Sequence, residues 1–502
     1  MLIFGNDKPQ NVGVHPLPSP EYPAPISASS LQNIFDGCSD FEARRISAGG
    51  SGAEIWVCWL DGVTDSAEVA VQILRPLTEE SRFGGVKDAK ELLDRAAAGQ
   101  VYAGTMKRRD KLDDLVSDLT GGYCALVTEG QAVSFQVKTA QKRSVDAPQA
   151  EKTIKGGKDA FVETLRVNTA LVRLRLRTPK LKLKSLTVGR KSRSDVAVLW
   201  LDKVARPSIA EEVCARLERL DIDGLMQADI LQQALSDTPQ SPFPQIGHTE
   251  RCDAFCMALL DGRVGILCEG IPLGFLAPGS LPSLMSPAED ESQHFLMASA
   301  LRLLRWGGML LTLLLPAFYV ATAMYHQEMI PLKLLLSVIE SKQDVPFSTP
   351  LEILGMLIAF ELLQEAGLRL PDPVGQTVSI VGALIVGQSA VEARVISPIA
   401  VIVVAVAGIA GYTVPNQDLA AALRLARFAL VLAAVGAGMF GIAVGCALLL
   451  WHLCSLESFG AAYISPLATG RRGSAAKVLT RPPEIELRPE DWNGGDLRRR
   501  AP

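Results

Sequence analysis

The side chains in this sequence that are most able to do chemistry are ionisable residues within or beside long hydrophobic stretches of its C-terminal third. Glu352, Glu361, Glu365 and Arg369 are expected on or near one face of an amphipathic helix. Charged groups at membrane depth persist mainly when they are paired or when they line water. These four residues therefore either rim a water-filled path or form an ordinary solvated helix face, and the pattern fits both interpretations.

A second group of candidates lies around a turn between two hydrophobic stretches. Glu392 and Arg394 mark the turn, and Gly382 and Gly387 precede it. The stretch that holds the glycines is short and polar for a membrane span, which favours a broken or re-entrant segment. All four residues are candidates for lining or gating a pore. The alternative for the charged pair, which its position favours, is a simple marker of a cytoplasmic hairpin.

Small residues and a proline add candidates that act through the backbone. Pro316 interrupts a hydrophobic stretch, so it frees a backbone carbonyl and predicts a kink, which serves either as a gate or only as bundle geometry. Ala437, Gly441 and Gly445 recur at intervals of four and predict close helix packing. Packing within one subunit and packing between subunits fit that spacing equally.

No catalytic or metal-binding constellation accompanies these residues. The five histidines lie outside any nucleophile elbow, zinc motif or acid–base pair, and the phosphate-binding pattern GxxxxGK[ST] is absent. Cys252 and Cys256 are separated by three residues and lack a histidine pair, so the nine cysteines are expected as free, mostly buried thiols in a reducing compartment. The sequence predicts a protein that is not an enzyme and that uses no metal or cofactor.

The elements that must position these residues belong to two classes of segment. Charged residues are 21% of the 502, the mean hydropathy is +0.21, and almost all the charge lies before Arg305 or after Leu467. A net charge of −4 gives no support to nucleic-acid binding, and a chain of this length needs at least two packed units. We predict an α/β soluble N-terminal domain of two subdomains, followed by an all-α bundle that crosses a membrane several times.

The hydrophobic part, 301–468, is predicted to form the transmembrane domain. A helix of roughly 20 apolar residues crosses a bilayer core of about 30 Å. Four stretches approach that length: about 306–327, 373–391, 395–417 and 428–456. Basic residues precede the first stretch at Arg302 and Arg305 and recur in the tail 469–502, which predicts cytoplasmic termini and an even number of crossings.

The part before the membrane domain is predicted to contain three segments. Residues 1–34 form a disordered arm rich in Pro and Ser, 35–150 a first α/β subdomain and 151–300 a second. The N-terminus lacks the basic and apolar regions of a signal peptide, so this domain is expected to stay inside.

Two local patterns predict strands in the second subdomain. Alternating apolar and basic residues predict a strand pair around Thr178 to Lys180, with one cationic face. That face would consist of Arg173, Arg175, Arg177, Lys182 and Lys184. Met257 to Leu260 and Val264 to Cys268 are predicted to form a hairpin around Asp261-Gly262-Arg263.

Several long runs, taken in order, resemble the GerA family of spore germination receptor A subunits, to which the sporulation stage V AF channel protein is related. The resemblance covers about 155–468, and one departure is Gln364, where the family usually has an arginine. The runs are FVETLRVNTALVRLRLRTPKLKL (161–183), SPFPQIGHTERCD (241–253), LLDGRVGILCEGIP (259–272), LPAFYVATAMYHQEMIP (315–331), FELLQEAGLRLPDPVGQTVSIVGALIVGQSAVEARVISP (360–398) and SFGAAYISPLA (458–468).

The resemblance implies a multi-pass protein of the inner membrane of a bacterial spore. It implies a transporter-like B subunit and a lipoprotein C subunit as partners, and a response to nutrients. It also implies a homo-oligomer, a pentamer in the family's pattern, that forms a ligand-gated channel releasing monovalent cations. A downstream channel component that amplifies germination without its own nutrient receptor is one alternative, and a non-conducting scaffold anchored by its helices is another.

Overall fold

The structure of the chain is a computed structural model that describes residues 22–49, 53–83, 86, 88–101, 104–138, 148, 151, 156–369, 387–467 and 478–481. It divides into two compact units. The first comprises 1–144 and 166–184, and the second comprises 145–165 and 185–502. The boundary predicted at 150 is therefore crossed by the segment 166–184, which returns to the first unit.

The first unit is built on an antiparallel five-stranded sheet in the order β1-β2-β4-β5-β3. Its strands are β1 (Phe41–Ser47), β2 (Glu54–Leu60), β3 (Met106–Arg109), β4 (Tyr123–Thr128) and β5 (Gln131–Gln136). Its helices are α1 (Ala28–Ile34), α2 (Ser66–Val69), α3 (Arg75–Thr78), α4 (Glu80–Phe83), α5 (Ala89–Arg95), α6 (Leu112–Thr120) and α7 (Leu165–Arg175), with π-helical turns at Ala70–Leu74 and Ala96–Gln100.

Strand β2 shows why this sheet forms. Its residues EIWVCWL are apolar at successive positions, and the side chains alternate between the two faces. Val57 and Trp59 enter one core with the leucines of α5, whereas Cys58 and Leu60 enter another with α1 and α6. The sheet is thus covered by helices on both sides, which requires the unbroken apolar run.

The predicted disordered arm, 1–34, is wrong at its C-terminal end. Residues 1–21 lie outside the described part of the chain, but Ala28–Ile34 is a helix whose N-terminus is capped by the Ser27 hydroxyl, 3.1 Å from the amide of Ser30. Leu31 is fully buried beneath it. The composition of the whole arm, rich in Pro and Ser, predicts disorder. One short amphipathic helix with a capping serine is too small to change that average.

The predicted cationic strand pair is also wrong. Its first half is helix α7, because Asn168, Leu171 and Val172 are buried at helical spacing. Arg173 is 1% exposed and donates to both carboxylate oxygens of Asp40, at 2.7 and 2.8 Å. The basic residues therefore do not share a solvated face.

The second unit begins with another antiparallel sheet, in the order β6-β7-β9-β10-β8, and the division between the units falls inside β6. Its strands are β6 (Leu181–Val188), β7 (Ser194–Leu201), β8 (Gly247–Thr249), β9 (Val264–Cys268) and β10 (Ile271–Ala277). The helices with it are α8 (Pro207–Arg219), α9 (Ala228–Leu235), α10 (Cys252–Leu260) and α11 (Leu281–Leu284). α8 and α9 pack their apolar faces on β7, β9 and β10.

The hairpin predicted around Asp261 is displaced by one element. Met257 to Leu260 end helix α10, and the real hairpin joins β9 to β10 through Glu269 and Gly270. Gly270 adopts φ +80°, a conformation that glycine allows without strain. A short apolar run before a turn is typical of both a helix end and a strand. The sequence pattern alone therefore does not distinguish the two.

Helices dominate the rest of the described chain, so the fold class predicted from sequence is confirmed. They are α12 (Phe295–Met324), α13 (Leu332–Lys342), α14 (Thr349–Arg369), α15 (Pro398–Gly411) and α16 (Gln417–Ser455), followed by the small ribbon of β11 (Glu457–Ser458) and β12 (Ala461–Ala462). By length and composition α12 and α16 can cross a membrane, whereas α15 is apolar but shorter. The predicted span 373–391 lies almost entirely outside the described residues.

Candidate functional site: the charged network of the helical bundle

Helix α12 defines two ends of the bundle. Trp306 and Met309 lie in one apolar cluster with Phe243 and Leu281 of the α/β part of the second unit, and we call this the near end. Tyr325 closes the helix at the opposite end, the far end. At 1.5 Å per residue, Trp306 and Tyr325 are about 28 Å apart, close to the ~30 Å thickness of a bilayer core.

Helix α16 reverses direction and is not one straight rod. Ala437 (φ −143°, ψ 16°) and Gly438 (φ 59°, ψ −137°) depart from helical geometry. In a straight helix Leu430 and Gly445 would be about 22 Å apart. A Cβ on Gly445 would instead lie 2.6 Å from Leu430 Cδ2. The segments 417–436 and 439–455 are therefore two arms of a helical hairpin.

The reversal corrects the predicted span 428–456. Leu419, from the start of the first arm, and Leu453, from the end of the second, belong to the same apolar cluster as Trp306, so both open ends lie at the near end. Each arm has about the reach of the part of α12 between Trp306 and Tyr325. The predicted packing residues act across this fold: Gly441 faces the backbone of Ala433, and Gly445 faces Leu430. They bring the two arms of one subunit together.

The tip of the hairpin lies at the far end, against the last residues of α12. The Tyr325 hydroxyl donates to the Val435 carbonyl at 2.7 Å, an oxygen that the break in the helix deprives of its usual partner. A Cβ on Gly438 would come within 3.1 to 3.2 Å of Tyr325 and His326. The tip therefore requires glycine both for its backbone angles and for its space.

Glu361 is the centre of a charged network between α14 and the first arm. Its carboxylate accepts from Arg427 Nη2 at 2.6 Å and from Arg424 Nη1 at 3.1 Å. Arg424 also donates to Gln364 Oε1 at 3.0 Å, and the Gln364 amide donates to the Tyr412 hydroxyl at 2.9 Å. Arg427 is 2% exposed. Removing one partner of such a buried pair typically costs on the order of 3–5 kcal/mol.

Glu352 anchors a second network nearer the far end. Its side chain is fully buried and accepts from the amide and hydroxyl of Ser397, at 3.0 and 2.7 Å, at the first turn of α15. Lys342 Nζ lies 3.1 Å from its other carboxylate oxygen. A negative charge at a helix N-terminus is favourable, so Glu352 fixes where α15 begins.

The single charged face predicted for α14 is therefore wrong. Glu352 and Glu361 are nine residues apart, which places them on opposite sides of a helix with 3.6 residues per turn. They bind different helices, α15 and the first arm of α16. Glu365 lies one turn beyond Glu361 and also has partners, and the side chain of Arg369 lies outside the described part.

The remaining pore candidates occupy separate places. Arg394 forms an exposed ion pair with Asp344, and Glu392 accepts from Gln388 at 3.0 Å, so this turn is a solvated one tied to the segment before α14. Pro316 is buried inside α12, which continues through it. A Cβ on Gly387 would lie 3.8 Å from Val401 of α15, which is an ordinary contact distance, and Gly382 lies outside the described residues.

Buried charge also gathers where α12 begins. Asp290 is fully buried and accepts from Arg305 at 2.7 and 2.8 Å and from Arg302 at 3.0 Å. Arg481, from the C-terminal tail, donates to the backbone carbonyls of Asp290 and Gln293 at 2.6 and 2.8 Å. Arg302 and Arg305, the two arginines predicted to mark the cytoplasmic flank, are thus held by Asp290, and Arg481 ties the backbone of that segment to the tail.

The cysteines and the other side chains that could bind a metal ion are the last group of reactive residues. All nine cysteines are free, and seven are buried. Within the described ranges, no three His, Cys, Asp or Glu side chains are grouped so that they could hold a metal ion.

A family comparison now adds to this geometry. A model of the Bacillus/Clostridium GerA spore germination protein family matches residues 29–490. The chain belongs to this family. The match includes both α/β sheets, the charged networks and the hairpin.

Two relatives in Bacillus subtilis (strain 168) illustrate the similarity. The uncharacterized membrane protein YfkQ is 34% identical, over 94% of this chain and 93% of its own length. Spore germination protein KA is 32% identical, over 95% of this chain and 89% of its own. The crystal structure of the N-terminal domain of the A subunit of the Bacillus megaterium spore germinant receptor GerK3 is 26% identical, with a TM-score of 0.40, over 51% of this chain and 96% of that one.

Sequence reasoning missed the basic half of the Glu361 network. The predicted fourth span begins at residue 428, so Arg424 and Arg427 lie just outside it. Their three-residue spacing, which puts both on one helix face, was a legible signal. Tyr325 carried no such signal, because its role depends on a reversal 110 residues away.

Proposed function

We propose that this chain is the A subunit of a nutrient-responsive spore germination receptor and that its bundle, as a homo-oligomer, forms a channel releasing monovalent cations. The observation that supports the proposal most is the family match across 29–490, which includes the membrane-type helices and their charged network. We expect a transporter-like B subunit and a lipoprotein C subunit as partners, and no enzymatic activity.

The bundle supports a role beyond anchoring. An anchor needs only apolar helices, yet this chain places Glu361 with Arg424 and Arg427 among them. Burying such groups is costly, and within membranes they mark ion paths, relays and partner contacts more often than plain packing. Glu361 is partly accessible, which lets it contact water or a neighbouring subunit.

The same geometry supports the membrane setting that we propose. α12 and both arms of α16 would each cross the bilayer, with the near end and both termini on the cytoplasmic side of the inner spore membrane. α15 returns from Ser397, beside Glu352, to Thr413, which meets Gly308, two residues after Trp306 at the near end. α14 runs from Glu352 towards Tyr412 at the end of α15. Helices that alternate in direction in this way are typical of a polytopic bundle.

The first test measures potassium release after nutrient addition from spores with the gene, without it, and with variants restored. The panel should include amino acids and sugars. Loss of release for particular nutrients would support a receptor subunit. Slower release for every nutrient would support the downstream amplifying channel instead. Unchanged release would contradict both and leave a scaffold.

A variant pair links the result to the network. We expect Glu361→Gln to lower potassium release at normal protein level, because it leaves two arginines without their carboxylate. Glu340→Gln is the matched control, since Glu340 is exposed on α13. Lysine at Gly387 or Glu392 tests the remaining pore candidates. If all of these variants release potassium like the wild type, conduction through this bundle is refuted.

A further inference from the structure

Helix α13 has an amphipathic pattern that the bundle does not use. Leu332, Leu335, Leu336 and Ile339 recur at i, i+3, i+4 and i+7, and we call them the apolar stripe of α13. Leu332, Leu336 and Ile339 are 71%, 57% and 49% exposed. The stripe therefore faces away from the residues that hold the helix.

The other two sides of α13 differ from the apolar stripe, because one is polar and exposed and the other holds the buried Val338. Lys333, Ser337 and Glu340 recur at i, i+4 and i+7 and are exposed, forming a polar stripe. Val338 is the one residue of the helix that is buried, and it points to the third side. α13 thus has one apolar side, one polar side and a third side where Val338 is buried, although Leu334 on that third side is 53% exposed.

The depth of α13 is fixed at both of its ends. It starts a few residues after α12 terminates at the far end, beside Tyr325. Its last residue, Lys342, pairs with Glu352, which holds the first turn of α15. A helix fixed where two apolar helices end cannot cross the bilayer, and it lies at the level of the headgroups.

We propose that α13 is a membrane-surface helix whose apolar stripe inserts into the acyl chains of the far leaflet. Its polar stripe faces water, and Lys333 lies where it can contact anionic headgroups. The exposed apolar surface continues onto Met329 before the helix and Phe347 after it, 54% and 48% exposed. The occupant is lipid because exposed apolar residues lead into this surface from the last two turns of α12, where Phe318 and Met324 are 43% and 39% exposed.

The proposal rests on the membrane setting given above, and the test separates the two. The full chain is reconstituted in vesicles of phosphatidylcholine and phosphatidylglycerol, some carrying a nitroxide high on the acyl chain. Single cysteines for an environment-sensitive fluorophore are introduced as Leu336→Cys on the apolar stripe and Ser337→Cys on the polar stripe. The background has Cys446→Ser and Cys454→Ser, since these are the two thiols that are not buried. Leu310→Cys reports on α12.

Insertion predicts that the nitroxide quenches the label at 336 several-fold more than the label at 337, with the label at 310 also quenched. Equal quenching at 336 and 337 would overturn the proposal. So would an unquenched label at 336, and a crosslink formed by the unlabelled Leu336→Cys thiol to a second copy or to another subunit would identify that protein as the occupant instead. If the label at 310 is also unquenched, the membrane setting itself fails. Leu332→Cys and Lys333→Cys provide a second pair should the first fail to assemble.

Discussion

At the scale of single residues, buried arginines organise both units. Arg173 is held by Asp40 in the first unit, and Arg427 by Glu361 in the second. A guanidinium has five donors in a rigid fork, so it satisfies a carboxylate and nearby carbonyls at once, as Arg173 does with Asp40 and Leu181. Sequence patterns assign such arginines to the surface, because the carboxylate partner is far away along the chain.

A third arginine, Arg109, pairs with Asp118 in the first unit, and this pair makes the stability of the unit depend on pH. Burial by itself raises the pKa of Asp118, but hydrogen bonds from Arg109 and Ser134, together with the charges of Arg109 and Lys107, bring the pKa below its ordinary value. The distances from Asp118 are 2.8 and 3.1 Å to Arg109 and 2.5 Å to Ser134. The carboxylate form is thus favoured by folding.

The pH dependence follows from that direction. A depressed folded pKa stabilises the protein above the unfolded pKa, about 3.9 for aspartate, and this stabilisation is lost as the pH falls through the folded value. We expect Asp118→Asn to destabilise β3 and β5 at neutral pH and to flatten the dependence below pH ~4. Hydrogen exchange of β5 peptides in the full chain measures this. Asp94→Asn, at an exposed pair with Arg108, is the control, and identical behaviour of the two variants would contradict the account.

At the scale of elements, the reversal of α16 is the feature that sequence could not supply. Hydropathy sums apolar character along a window, and a hairpin of two arms has the same sum as one long span. Of the three small residues predicted to pack helices, Gly441 and Gly445 lie against the other arm of the same chain, whereas Ala437 lies at the break itself. The residues that permit the turn are local, but the Tyr325 hydroxyl that completes it is not.

The hairpin tip predicts a sharp difference between two neighbouring glycines. Gly438→Ala forces a Cβ into a backbone region that is essentially restricted to glycine, and such strain costs on the order of 1–3 kcal/mol. Gly436→Ala is the control, since a Cβ there meets nothing within 4 Å. We expect a lower thermal midpoint in detergent for Gly438→Ala only. Equal midpoints for the two variants would refute the tip geometry.

At the scale of the whole molecule, the sequence predicts the order of the α/β and helical segments, but not the long-range contacts that connect them. Apolar content separates the α/β part from the helical part, and strands such as VAVLWL at 196–201 are legible because two-sided burial needs continuous apolar residues. The return of 166–184 to the first unit and the role of Arg481 depend on pairs far apart in sequence. Contacts between residues so far apart produce no periodic pattern in the sequence.

The tail contact is itself testable. Arg481→Ala removes two charge-assisted hydrogen bonds to buried carbonyls, each typically worth about 1.5–3 kcal/mol. Asp290 keeps Arg302 and Arg305, so the chain should still fold. We expect faster proteolysis near 478–481 and an unchanged rate for Arg219→Ala, at an exposed position of α8. Equal rates for the two variants would show that the tail is not held by this residue.

The folding back of α16 also bears on how the chain enters the bilayer during synthesis. In the topology proposed above, both ends of the hairpin would remain on the side where the ribosome delivers the chain, so only its tip would have to be translocated. Between Arg427 and His452 the sequence has no charged side chain, and Arg424 and Arg427 precede that stretch. In that topology the translocon would move only the uncharged stretch 428–451, with the hairpin tip, towards the far side, while Arg424 and Arg427 stay in the half of the first arm that is next to the near end.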